Sequence, residues 1–97
     1  MTWSLHPGAE QDIAGILDFY AERAGSIVAQ RFVAEFERVA RLLVEHPGFG
    51  TPTASGRRAF PLRVYPHTIV YRELDTGILI LVVRHQHRKP SYGGARR

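Results

Sequence analysis

Two apolar stripes at helical spacing, separated by almost no chain, constrain this sequence more than any other feature. Ala9, Ile13, Ile16, Leu17 and Tyr20 recur every three or four residues and so share one face of a helix. Pro7 suits its opening, because a residue in the first turn has no intrahelical partner for the N–H that proline lacks. Glu10 and Asp12 complement the positive end of the helix dipole, and Gly25 is the expected stop. Ser26 can cap a second helix, in which Val28, Phe32, Phe36, Val39, Ala40 and Leu43 line one face; Arg31, Glu35, Arg38, Arg41 and Glu45 lie opposite. That helix ends near His46, since Pro47 and Gly48 do not continue it comfortably. With little more than Gly25 between them, the helices must double back as an αα-hairpin, and both stripes need a common cover.

The second half supplies the cover. After a Gly- and Pro-containing loop, Pro47 to Gly56, come three strand-like runs: Arg57 to Val64, Thr68 to Leu74 and Ile78 to His85. The short breaks Tyr65-Pro66-His67 and Asp75-Thr76-Gly77 make these neighbours antiparallel, a meander. Ile78 to Val83 is apolar at consecutive positions, the pattern of a central strand covered on both faces. Trp3 and Leu5 alternate with polar neighbours before Pro7, giving a short N-terminal strand. The expected fold is therefore α+β, in the order β-αα-βββ, an antiparallel sheet packed on one face by an αα-hairpin. A chain of 97 residues has room for one domain, here 1–97, with 90–97 expected as a flexible basic tail.

The absence of cysteine excludes a disulfide scaffold, a thiolate metal site and a cysteine nucleophile. The longest aliphatic run, Ile78 to Val83, is too short to span a bilayer, and the N-terminus lacks a signal-peptide pattern, so the cytoplasm is the expected location and no membrane partner is expected. Charge is divided unevenly. Residues 1–56 carry four arginines against seven carboxylates, a net of −3, whereas residues 57–97 carry nine cations against two carboxylates, a net of +7. The basic half suits an anionic partner; a solvated basic surface is the alternative reading.

Ser4, Ser26, Ser55 and Ser91 lie in no nucleophile-elbow context, and no phosphate-binding glycine motif is present, so no cofactor is expected. Chemistry concentrates in RHQHRKPSY, Arg84 to Tyr92, directly after the apolar strand. His85 and His87 are two apart and would point the same way if the strand persisted. Glu73 and Asp75 are the only acids in the second half and complete no metal site, so none is expected. Three uses of the cluster stay open: nucleic-acid stacking and phosphate binding, acid–base cleavage of RNA, or docking on an acidic protein.

The segments PGAEQDIAGILDFY, LLVEHPGFG, RRAFPLRVYPHTIVYREL and ILILVVRHQHRKPSY together resemble the RelE/ParE toxin superfamily, over nearly the whole chain. Its most telling pieces are His46-Pro47, Ile69 to Arg72, and His85 to Arg88. The resemblance implies the toxin of a type II toxin–antitoxin pair, neutralised in a hetero-oligomer by a cognate antitoxin. Two activities occur in the superfamily. ParE-type members inhibit DNA gyrase without catalysis of their own, and the matching contacts here would come from Arg58, Arg63, Arg84, His87, Arg88 and Lys89. RelE-type members are endoribonucleases that cut messenger RNA on the ribosome, for which His85, His87, Arg88 and Tyr92 are the catalytic candidates. The ribonuclease pattern is broken, because Thr68 stands where an arginine is expected and Ala59 and Pro61 stand near the expected lysines. The resemblance is thus nearer the ParE branch. A domain that has lost its toxicity and only binds antitoxin is a third reading.

Overall fold

The computed structural model describes residues 1–97. The order is β1 (Thr2–Leu5), α1 (Pro7–Arg23), α2 (Ser26–Glu45), β2 (Thr51–Pro52), β3 (Arg58–Pro61), β4 (His67–Leu74) and β5 (Gly77–His85), with short 3-10 turns at Pro47–Phe49 and Ala54–Gly56. His6 caps α1, its Nδ1 accepting the N–H of Gly8 at 2.9 Å, and Pro7 follows in the first turn. The reversal between the helices rests on Gly25, whose φ of +96° is a region that side chains disfavour. Gly25 also takes the N-cap position of α2, and no side chain caps that helix. Ser26 is therefore its first helical residue and not its cap, because the bend that precedes the helix needs a glycine.

The sheet has the order β1-β5-β4-β3-β2. The meander β3–β4–β5 is antiparallel as expected, and a two-residue β2 extends it beyond β3. β1 lies parallel to β5, from Thr2 opposite Gly77 to Leu5 opposite Ile80, so the sheet is mixed and not wholly antiparallel. The meander leaves one edge of its last strand open, and the N-terminal strand takes it. Close packing at this seam demands a glycine: a Cβ on Gly77 would lie 1.7 Å from the carbonyl oxygen of Thr2.

The hairpin covers one face. Phe32, Phe36, Val39, Ala40 and Leu43 pack against Ile69, Tyr71, Ile78, Ile80 and Val83 in one continuous core, and each large side chain buried there contributes about 1.5–3 kcal/mol. Val70, Leu81 and Val82 form a smaller cluster on the opposite face, joined by Ala59, Leu79 and Tyr92. β5 serves both faces through a bulge. Tyr71 pairs with Ile80 but Val70 pairs with Val82, so Leu81 is an extra residue. The bulge reverses the alternation, so that Ile78 and Ile80 before it and Val83 after it all face the helices.

The loop after α2 is tied down by Tyr71, which is fully buried. Its hydroxyl donates to the carbonyl of Pro47 at 2.5 Å and accepts the N–H of Gly50 at 2.9 Å.

Residues 90–97, expected as a flexible tail, instead fold back over the outer face of the sheet. The Arg57 guanidinium donates to the carbonyls of Gly93 at 3.1 Å, Gly94 at 3.2 Å and also Arg96. Tyr92 lies on the Val70–Leu81–Val82 cluster. The physical reason is the apolar outer face, which needs a cover that the hairpin cannot reach.

Candidate binding surface

β1 stops pairing at Ile80, which leaves the far half of the β5 edge without a strand partner. Side chains take over there. The carboxylate of Asp12, on α1, accepts the N–H of Val83 at 3.0 Å, and Arg96 donates to the carbonyl of Leu81 at 3.0 Å. Arg96 and Asp12 also pair with each other at 2.6 Å, and the Tyr92 hydroxyl donates to Asp12 at 2.5 Å. Burial pushes the Asp12 carboxyl up, but the hydrogen bonds from Arg96, Tyr92 and Val83 outweigh it and hold the group below the ordinary aspartate value. A buried acid on α1 thus fastens the C-terminal segment to the open edge of β5.

Next to this clasp lies a group of imidazoles. The Leu81 bulge also turns His85 toward the helices, opposite His67 in the register, with ring centroids 5.4 Å apart. His67 is only 5% exposed and packs edge-on against Tyr20 and Phe32. Burial, helped by the nearby His85, depresses its pKa to about 4, so it is neutral at pH 7. The strand ends at His85, yet His87 in the following turn stacks on it at 5.0 Å, and the His87 N–H donates to His85 Nδ1 at 3.1 Å. No three imidazoles and carboxylates converge in a geometry that would hold a metal ion.

The residues singled out in the sequence divide into groups. Arg84, His85, Arg88 and Tyr92 come together around a cavity of about 340 Å³, walled on the other side by Asp12 and Ile16 of α1 and by His67. His87, Arg88 and Lys89 are exposed on the turn beyond β5. Arg88 lies over the Tyr92 ring, 4.6 Å from its centroid. Arg63 is exposed in the loop between β3 and β4. Arg58 stands apart, level with Tyr71 while Arg84 is level with Thr68, a separation of roughly 10 Å along the strand direction. It donates to the carbonyl of Gly50 at 2.9 Å and lies 3.8 Å from the carboxylate of Glu73. Trp3 packs on Phe36, and Tyr65 on Tyr20 and Phe32.

Three important residues were not visible in the sequence. Asp12 reads as a helix-dipole residue, Arg96 as part of a tail and His67 as part of a turn. The one available signal for Asp12 was its position beside the apolar stripe at Ile13 and Ile16, where an acid needs a partner if it is buried.

A helical hairpin on one face of a small mixed sheet, with a basic segment presented at the end of the bulged strand β5, defines a class of small toxin domains. The chain belongs to the ParE toxin family of type II toxin–antitoxin systems, whose description, "ParE toxin of type II toxin-antitoxin system, parDE", matches residues 4–90. It is similar to Toxin ParE2 of Mycobacterium tuberculosis strain CDC 1551 / Oshkosh, with 26% identity over 87 residues that cover 90% of this chain and 83% of the relative. Toxin ParE2 of strain H37Rv matches to the same extent, 26% over 87 residues. A solved chain from the chromosomal ParDE TA system of P. aeruginosa shares the fold, with a TM-score of 0.75, 24% identity, and coverage of 88% of this chain and 95% of that one. No helix is long and apolar enough to cross a membrane.

Proposed function

We propose that this toxin acts in the cytoplasm by binding DNA gyrase and blocking replication, and that a cognate antitoxin neutralises it in a hetero-oligomer. The observation that carries the reading is the run from Arg84 to Lys89. It projects from the end of β5, a strand paired with β4 along its whole length and with β1 over its first four residues, and none of its cations has a carboxylate partner. Rigid support and unpaired positive charge suit docking on an acidic protein surface. Arg84, His87, Arg88 and Lys89 form the core of the contact, with Arg63 at its margin. Arg58 acts mainly by fixing the Gly48–Gly50 loop. The antitoxin is expected to offer an acidic segment that folds on this basic half.

The ribonuclease alternative draws less support. The rungs where that branch carries basic residues hold Ala59 opposite Val70 and Pro61 opposite Thr68, and Tyr92 is committed to Asp12. A gyrase supercoiling assay with purified toxin tests the proposal: inhibition that is lost in an Arg88→Ala, Lys89→Ala double variant is expected. Full supercoiling in excess toxin, together with cleavage of ribosome-bound message in a toeprinting assay, would establish the ribonuclease reading instead.

A further inference from the structure

We propose that the cavity between α1 and the end of β5 binds a phosphorylated small molecule of about mononucleotide size. Its volume of about 340 Å³ lies within the span of small-ligand pockets, roughly 300–1,000 Å³. Its walls include Asp12, His67, Arg84, His85, Arg88 and Tyr92.

The charge balance favours an anion. Asp12 is the only carboxylate in the lining, and both of its oxygens are taken, one by Tyr92 and Arg96 and the other by Val83 and Arg96. Arg88 has no carboxylate partner, and Arg84 adds unpaired charge at the strand edge beside it. The cavity therefore presents positive charge that nothing within the chain neutralises.

Donor chemistry agrees. His85 Nδ1 accepts the His87 N–H, which leaves the proton of a neutral ring on Nε2, where it can be donated. Nδ1 of His67 is buried without a hydrogen-bond partner, and His67 is 95% buried in the wall. A buried polar atom without a partner is costly, and a bound polar ligand removes that cost. A phosphate offers more acceptor oxygens than a carboxylate, which suits the Arg88 guanidinium and the two imidazoles. The space beyond it, bounded by Gly15 and Ile16 of α1, has room for a flat organic group.

The inference stands apart from the gyrase reading, since ligand binding is measured with the toxin alone. The test is a titration of the full chain, labelled at histidine Cε1, with inorganic phosphate, adenosine 5′-monophosphate or sodium glutamate at constant ionic strength. Saturable shifts of the His67 and His85 signals are expected with phosphate and with the nucleotide, the nucleotide binding about tenfold more tightly. Arg88→Gln should weaken nucleotide binding by about tenfold or more with thermal stability unchanged, His85→Gln should weaken it too, and Arg31→Gln on the far side of α2 should not. Equal affinity for phosphate and nucleotide would reduce the site to a bare oxyanion cradle and overturn the nucleotide-sized ligand. Binding of glutamate as strong as that of phosphate would make it a docking point for an acidic protein. Absence of saturable shifts up to about 10 mM nucleotide would remove the site altogether.

Discussion

Lowering the pH from 7 to 5 should destabilise this protein mainly through one residue, His67. In the unfolded chain its pKa is near 6.5, whereas burial beneath Tyr20 and Phe32, with His85 opposite, brings it to about 4 in the fold. The folded state thus resists protonation where the unfolded state accepts it. Stability is complete above pH 6.5 and falls as pH drops toward 4. Linkage between those two values gives a loss of roughly 2 kcal/mol at pH 5, rising to roughly 3 kcal/mol at pH 4. The charged and titratable groups facing the ring from its surroundings are His85, Arg84, Arg88, Asp12, Tyr20 and Tyr65, and of these His85 adds to the depression. Urea unfolding followed by Trp3 fluorescence at pH 7 and pH 5 measures the loss. His67→Gln should remove most of this pH dependence, whatever it does to stability at pH 7. A variant that loses as much stability as the wild type over this interval, or a His67 ring that titrates near 6.5 in the folded protein, would refute the reasoning.

Other substitutions probe the remaining supports. Gly77→Ala places a methyl group on the Thr2 carbonyl at a φ of +144°; it should cost about 2–4 kcal/mol in chemical denaturation and loosen β1 from β5 in amide exchange. Tyr71→Phe removes the buried hydroxyl that holds Pro47 and Gly50, with an expected loss of about 1–3 kcal/mol by the same measurement. Asp12→Asn should cost about 2 kcal/mol and release the C-terminal segment, seen as faster proteolysis beyond Arg88 and faster exchange of the Val83 amide. Because the Asp12 carboxyl is held below its usual range, its contribution is present at neutral pH and disappears as pH falls through that lowered value.

Much of the architecture follows from local rules that act along the chain. Proline at the start of a helix, glycine at its reversal and stripes every three or four residues are enough to establish the hairpin. Two short turns establish the antiparallel meander, and the apolar run Ile78 to Val83 marks the central strand. The uneven charge likewise locates the cationic surface in the second half, and Arg84, His85, Arg88 and Tyr92 do gather there. These features depend on neighbours within a few residues, so they are written in residue order.

Tertiary structure decided what depends on pairing between distant segments. The bulge at Leu81 is a mismatch between two strands and leaves no mark on either one alone, yet it turns His85 from the outer face to His67. β1 joins β5 because β5 offers the long open edge beside it, and its early end exposes the carbonyl of Leu81 and the amide of Val83. Asp12 and Arg96, separated by more than eighty positions, meet there to satisfy those groups. An acid that reads as a dipole partner and an arginine that reads as a tail become a buried clasp, because an unpaired strand edge must be satisfied by whatever the fold brings within reach.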